Sequence, residues 1–412
     1  MSRLRREGRA ISGHAGARER SERKNGDDCS YWGCMPSKAL LRPTELLAAV
    51  RRVPAAATAV TGVVDVAAVL RRRDAFTSSW DDAGQVAWLE DAGIDLLRGH
   101  GRLAGERRVE VTAEDGSVNA LEASRGIVLA VGTRASLPPI EGLDEVARWD
   151  NRDATAVEEI PTRLLVLGGG VIGVELGQAI RRLGADEVTI IEAQERLEDG
   201  RELRGDELLV AVGREALTRD LGLATVGVEP GRGGFVEVDA HLRVPGHEWL
   251  YVVGDANGRA LLTHQGKYQA RLVGDALAGI DVDPAWADRE ALPRVVFTDP
   301  QIAAVGRTEA AAEEAGFDVL TVRADVGGTA GGALTGDEVG GTAQLVIDRD
   351  RRVLLGATFV GPGVAELLHA ATVAIVSEVT LDRLWHAVPA FPTVSEVWLR
   401  LLEEVRAEDL RG

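Results

Sequence analysis

The sequence predicts an α/β chain of βαβ units followed by a compact α+β domain at the C-terminal end. Two observations carry this. From residue 163 the pattern runs strand (164–167), glycine loop (168–173), helix (174–183) and strand (188–192), which is a βαβ opening. From about residue 290, strands at 295–298, 343–347 and 353–361 alternate with helices at 309–315, 364–378 and 393–402. A length of 412 residues leaves room for two or three domains and a sizeable core.

The elements follow in order. Residues 1–28 form an atypical basic segment, with Arg3, Arg5, Arg6, Arg9, Arg18, Arg20 and Arg23 and no strand-like apolar run. They read as a solvated tail. No apolar stretch there resembles a signal peptide, and Glu7, Glu19 and Glu22 interrupt an organelle-type presequence. Residues 36–53 read as a helix with Pro36 in its first turn and a kink at Pro43. Residues 66–94 also read as helical, and short strands follow at 94–97, 108–111 and 126–131, closed by the turn-rich 138–142. Residues 205–260 are mostly strands and turns.

Composition narrows the function classes. The apolar and charged fractions, 45% and 27%, are those of a soluble globular protein, and no apolar run approaches the length that spans a bilayer. A net charge of -18 speaks against nucleic acid and anionic membranes as partners. Two cysteines are too few for a secreted disulfide scaffold, so a cytoplasmic setting is expected.

Those two cysteines stand in Cys29-Ser30-Tyr31-Trp32-Gly33-Cys34, followed by Met35-Pro36-Ser37-Lys38. A disulfide needs Cα atoms within roughly 7 Å, which five residues of regular helix exceed at about 1.5 Å rise each. The pair must therefore occupy a bent turn that runs into the helix, eased by Gly33. Cys34 then lies by the helix N-terminus, where free N–H groups favour a thiolate. The residues also allow two unconnected buried thiols or half of a metal site. No further cysteine exists and the nearest histidine is His14 in the basic segment, so no metal is expected.

Gly168-Gly169-Gly170-Val171-Ile172-Gly173 satisfies GxGxxG between a strand and a helix. Gly168 makes the turn, Gly170 lets the backbone approach a pyrophosphate, and Gly173 allows close helix–strand packing. Glu192 ends the next strand, placed for a ribose 2′-hydroxyl and repelling a 2′-phosphate, so NAD is favoured over NADP. A glycine-rich turn in an unrelated α/β unit is the alternative.

These two motifs, in this order, resemble the pyridine nucleotide-disulfide oxidoreductases, among them the dihydrolipoamide dehydrogenase, mercuric reductase and glutathione reductase branches. The resemblance continues through Ala130-Val131-Gly132-Thr133, Tyr251-Val252-Val253-Gly254-Asp255, Leu261-Leu262-Thr263-His264 and Phe297-Thr298-Asp299-Pro300 with Ala304-Val305-Gly306. It implies Rossmann-like FAD- and NAD-binding domains, both truncated here, and a dimerisation domain. The implied boundaries are 29–150 and 214–285 for a discontinuous FAD-binding domain, 151–213 for a shortened NAD-binding domain and 286–412 for dimerisation. Electrons are implied to pass from NADH through FAD to the cysteines, with Cys34 facing the flavin and Cys29 exchanging with a small-molecule or protein-bound dithiol or disulfide. Lys38 and Glu175 match an ion pair beside the flavin, and Glu396 matches the partner of a catalytic histidine. FAD contacts are implied for Lys38, Gly101, Gly132, Thr133, Asp255, Leu262, Thr263 and His264; NAD contacts for Gly168, Gly170, Gly173, Glu192 and Gly213. A homodimer is implied.

The chain departs from that pattern in three places. Residues 1–28 lack the first apolar strand and GxGxxG loop; Gly13 and Gly16 do not make one. Glu198-Asp199-Gly200-Arg201-Glu202-Leu203 follows Glu192 too closely, so half of the NAD-binding unit is missing and a sheet edge is left exposed. Ala390-Phe391-Pro392-Thr393-Val394-Ser395-Glu396 puts Phe391 where the family has its histidine; Phe391 cannot shuttle a proton, and nearby His386 has the wrong offset. The leading expectation is an FAD-dependent, dihydrolipoamide dehydrogenase-like oxidoreductase. The alternatives are an NADH:acceptor or transhydrogenase-like flavoenzyme and a catalytically inactive deletion remnant.

Overall fold

The structure, a computed structural model, describes residues 9–12, 28–192 and 203–411. They cluster into two compact units. The first comprises residues 1–39, 67–173 and 184–285; the second comprises 40–66, 174–183 and 286–412.

The first unit is assembled from small sheets. A parallel three-stranded sheet runs in the order Glu207–Val210, Arg163–Leu167, Glu187–Ile191. Its edge strand Glu187–Ile191 precedes residues 193–202, so most of the hairpin-like 198–203 sequence lies outside the described residues. Ile127–Leu129 pairs in parallel with Leu250–Val252, and Thr133–Ala135 pairs antiparallel with Arg214–Ala216. Every residue of Leu250–Val252 is buried, as a strand covered on both faces should be. It forms a core with Leu103, Leu129, Leu242 and Trp249. His100–Leu103, Arg108–Thr112 and Val118–Glu122 make a three-stranded antiparallel meander.

Two expectations need correction here. The N-terminal segment is not strandless: Arg9–Ser12 pairs in parallel with Asp95–Arg98. A four-residue strand of this kind is held by the ladder its partner offers, which no apolar run of its own announces. The helix expected over 66–94 is broken, into Val66–Phe76 and Ala83–Asp91. Between them Ser78, Ser79 and Trp80 all take positive φ (50°, 50° and 59°), a left-handed run that ends any α-helix.

The second unit carries one antiparallel five-stranded sheet, in the order Pro293–Val296, Gln301–Gly306, Val353–Gly361, Thr342–Asp348, Val319–Asp325. Helices Leu368–Val376 and Val397–Arg411 bury Ala371, Val397 and Leu401 with Phe359, Leu345 and Ile347 of the sheet. The strands Gln301–Gly306 and Val319–Asp325 were not anticipated. The first alternates buried Gln301, Ala303 and Val305 with more exposed neighbours, but alanines give that period little contrast in sequence. The Asp299 carboxylate is gripped by Arg182 at 2.9 Å and by Arg52, so the Phe297-Thr298-Asp299-Pro300 motif serves as a structural anchor.

Candidate active site

Cys29 lies in the single turn Asp28–Tyr31, and Cys34 opens the helix Cys34–Arg51. The break falls at Trp32 and Gly33, and the Gly33 carbonyl already accepts from Ser37 N–H at 3.2 Å. The bent turn returns the two sulfurs to hydrogen-bonding contact, as free thiols. Cys34 is exposed and Cys29 half-buried. The Thr263 hydroxyl, at the first residue of helix Thr263–Leu277, stands 4.0 Å from Cys34 Sγ. The hydrogen bond to Cys34, and then burial, push the Cys29 thiol well above its ordinary value, while the Thr263 hydroxyl pulls it down. In the reduced pair Cys29 therefore holds its proton at neutral pH.

The turn is tied to the rest of the unit by a chain of hydrogen bonds. Asn151 Nδ2 donates to the Trp32 carbonyl (2.9 Å), and Arg214 Nη1 donates to Asn151 Oδ1 (3.2 Å). Arg214 also donates from Nε to Thr133 Oγ1 (2.6 Å) and from Nη2 to the Thr133 carbonyl (2.9 Å). Thr133 in turn donates to Asp255 at 2.7 Å. Asp255 sits in the short helical turn Gly254–Asn257, held by Gln269, whose Oε1 accepts from Gly254 N–H (2.7 Å) and Asn257 Nδ2 (2.9 Å). Sequence reading overlooked Arg214 and Asn151. The signal for Arg214 was its place directly after Gly213, at the end of an apolar strand.

In the glycine loop the three positions differ physically. Gly168 has φ +108°, and a Cβ there would meet the Ala211 carbonyl oxygen at 2.5 Å. A Cβ on Gly173 would lie 2.1 Å from the Gly168 oxygen and 3.1 Å from the Val166 side chain. A Cβ on Gly170 would meet nothing within 4 Å, so the backbone there is open to a close-approaching ligand. Glu192 reaches back over the loop and accepts from Gly169 N–H at 2.8 Å. Gly132 (φ +70°) and Gly213 (φ +142°) also have open space where a Cβ would be.

The remaining expected residues lie on several elements. Lys38 is half-buried on helix Cys34–Arg51, His264 is exposed, and Gly101 lies in the strand His100–Leu103. Leu262 caps the helix that Thr263 begins. Glu175 is buried and accepts from Phe297 N–H at 2.8 Å. Glu396 accepts from Gly331 N–H at 2.9 Å, while Phe391 stands 77% exposed. Among the described residues no group of acidic, histidine and cysteine side chains has the makings of a metal site, and no helix is long and apolar enough to cross a membrane.

Residues 14–198 and 196–270 match the family model described as pyridine nucleotide-disulphide oxidoreductase, and residues 292–401 match its dimerisation domain. The chain is 31% identical over 422 residues to a dihydrolipoyl dehydrogenase of Chlorobaculum tepidum, covering 90% of this chain and 88% of the relative. It is 27% identical over 418 residues to a mercuric reductase of Staphylococcus aureus, covering 90% and 74% respectively. In fold it is similar to LpdA from Mycobacterium tuberculosis (TM-score 0.80, 22% identity, 96% of this chain and 94% of that one). It is likewise similar to the HOCl-induced flavoprotein disulfide reductase RclA from Escherichia coli (TM-score 0.77, 20% identity, 93% and 92%).

Proposed function

This chain belongs to the pyridine nucleotide-disulphide oxidoreductase family, and on that premise we propose that its acceptor is a small-molecule or protein-bound disulfide reduced at Cys29. It is an FAD-dependent oxidoreductase that passes electrons between NAD(H) and a redox-active cysteine pair. The observation that carries the acceptor reading is the hydrogen-bonded pair itself, set at the head of a helix with Cys29 only half-buried.

The residues present suit both cofactors. The open backbone at Gly170, flanked by the tight Gly168 and Gly173, suits a pyrophosphate, and Glu192 suits a ribose hydroxyl beside it. Gly213 completes that side. Asp255, held by Thr133 and Arg214, suits a polyol chain, with Gly132 leaving room for it. Gly101, Leu262, Thr263, His264 and Lys38 are the further FAD-side residues of this reading, which also includes the buried carboxylate of Glu175. Held by these residues, FAD would supply the two-electron link between NADH and the cysteine disulfide. Cys34 is the cofactor-facing thiol; Cys29 attacks the acceptor and needs a base to take its proton. The division into FAD-binding (29–150, 214–285), NAD-binding (151–213) and dimerisation (286–412) segments belongs to the same reading, as do a homodimer and a cytoplasmic location.

The test is an anaerobic NADH titration followed by thiol alkylation. Bleaching of the flavin absorption with two newly alkylated cysteines per chain is the expected result. A colourless protein that takes up no added FAD would overturn it and leave the deletion-remnant reading. Phe391 in the histidine's place favours a second reading, an NADH:acceptor or transhydrogenase-like activity. Turnover that survives replacement of both cysteines by serine would select that one.

A further inference from the structure

One wall of the redox turn is also the wall of a cavity. Ser30, Tyr31 and Met35, which flank the two cysteines along the chain, line an open groove of about 490 Å³ together with Phe76, Ser78, Gly84, Gln85 and Trp88. That volume is in the range of small-molecule sites. The opposite wall is held to the redox turn by Tyr31, whose hydroxyl donates to Gln85 and to the Asp81 carbonyl, and by Trp80 Nε1, which donates to the Tyr31 carbonyl at 3.0 Å. Ser78, the first residue of the left-handed run, lies in that wall, and non-glycine residues keep such a conformation only where their surroundings impose it.

The lining has a chemical character. Trp88, Phe76 and Met35 are 63%, 43% and 41% exposed, an apolar group on a groove whose lining residues Ser30 and Met35 directly follow Cys29 and Cys34 in the chain. No acidic or basic side chain lines the groove. The Arg72 guanidinium stacks on the lining Phe76 at 4.8 Å. A peptide disulfide with several carboxylates finds no charged side chain among those lining the groove, and the Arg72 guanidinium against that lining is engaged on the Phe76 ring. Planar rings, in contrast, stack on Trp and Phe faces and pack against a thioether.

Proton supply points the same way. Where the family resemblance puts an acid–base histidine this chain has Phe391, so the thiol that leaves the acceptor is not protonated by that residue. An alkyl thiolate leaves slowly without such help, whereas an aromatic thiolate of low pKa leaves unaided. Resting on the disulfide-reductase reading above, we propose that the groove selects small, neutral aromatic disulfides, with Trp88 and Phe76 as the specificity-determining residues. Cys29, once deprotonated, attacks one acceptor sulfur and expels the first aryl thiolate. Cys34 then attacks the mixed disulfide and expels the second, and the two protons of the dithiol pass to solvent or to the products. Two electrons have moved to the acceptor, the cysteines are left as a disulfide, and NADH restores the dithiol.

The test separates binding from turnover. Calorimetry with di(2-pyridyl) sulfide, a thioether that cannot be cleaved, reports the groove alone. Loss of affinity by roughly tenfold is expected in Trp88→Ala and in Phe76→Ala, with most of it regained in Trp88→Phe, from the size of a ring–ring contact plus its buried area. Both side chains are partly exposed, so thermal melts should show the variants folded. In NADH-driven assays, 2,2′-dithiodipyridine should be preferred by kcat/KM over bis(2-hydroxyethyl) disulfide, and the preference should shrink in Trp88→Ala. Undiminished binding in both alanine variants, or preference for the aliphatic disulfide, would overturn the inference. Binding without any disulfide reduction would instead overturn the redox reading and leave the ligand preference of the groove standing.

Discussion

The cysteine turn at residues 29–34 and the C-terminal turn at 390–396 both carry motif residues of one family, and they have kept different halves of what those motifs provide. The first retains its reactive atoms: two thiols in contact, a helix N-terminus and the Thr263 hydroxyl. The second, in the proposed reading, retains only its scaffold. Glu396 still bonds a backbone N–H and Thr393 Oγ1 still closes the turn onto the Ala390 carbonyl at 2.7 Å, yet the side chain they present is an exposed phenylalanine. Backbone geometry and chemical function are separable. A turn persists through hydrogen bonds that most side chains at its tip leave untouched, whereas proton transfer is lost with a single imidazole.

The largest effect that would sharpen this contrast is Cys29→Ser. Disulfide reduction should fall by at least ~1,000-fold, since an alcohol replaces the thiol proposed to exchange with the acceptor. Flavin bleaching by NADH should persist; steady-state kinetics and a stopped-flow trace check the two halves. An unaffected disulfide reductase rate would place the chemistry outside the cysteine turn.

Next is the pH dependence. Cys29 is held above its ordinary thiol value by the Cys34 hydrogen bond and by burial, so its reactive thiolate is scarce at neutral pH. Without a histidine to draw off the proton, acceptor reduction should rise about tenfold per pH unit, or roughly a hundredfold from pH 7 to 9, as the thiolate fraction grows. The sign for stability is opposite. A thiol whose folded pKa is raised stabilises the fold fully below the unfolded value of 9.0, and that contribution is lost as pH climbs beyond it. A bell-shaped rate profile centred near neutrality would show that another base serves Cys29.

Arg214→Ala tests whether the scaffold of the first turn is as independent as that of the second. Its guanidinium, 16% exposed, supplies donors to Asn151 and Thr133, and the alanine leaves those acceptors short. A loss of about 2 kcal/mol in denaturant unfolding is expected, from partly buried charge-assisted bonds. Weaker retention of FAD should accompany it, read by fluorescence after dilution.

The smallest effect is a gain. Phe391→His returns a titrating group to a turn that has kept its carboxylate, and acceptor reduction at pH 7 should rise about tenfold, the low end for general acid–base help. The gain should fade below pH ~6.5 as the imidazole protonates. Because Glu396 is already engaged by Gly331 N–H, a larger gain is not expected. No change at any pH would show that this turn no longer meets the chemistry.

Local spacing alone determined much of this protein. The cysteine interval required a bend before a helix, and GxGxxG between strand and helix required glycine at the tight positions, because both are limits on bond geometry within a few residues. Residue order likewise puts Phe391 where the resembled family has a histidine. Tertiary structure decided what depends on partners distant in the chain. Arg9–Ser12 is a strand because Asp95–Arg98 supplies its ladder, and the break at Ser78–Trp80 follows from anchoring to Tyr31, some fifty residues away. Arg214 reads as an ordinary surface arginine in sequence and becomes a link between the redox turn and Asp255 only when Thr133 and Asn151 are brought to it. Short-range sterics are written in neighbouring residues. Hydrogen bonds and burial between distant segments exist only once the chain has closed on itself.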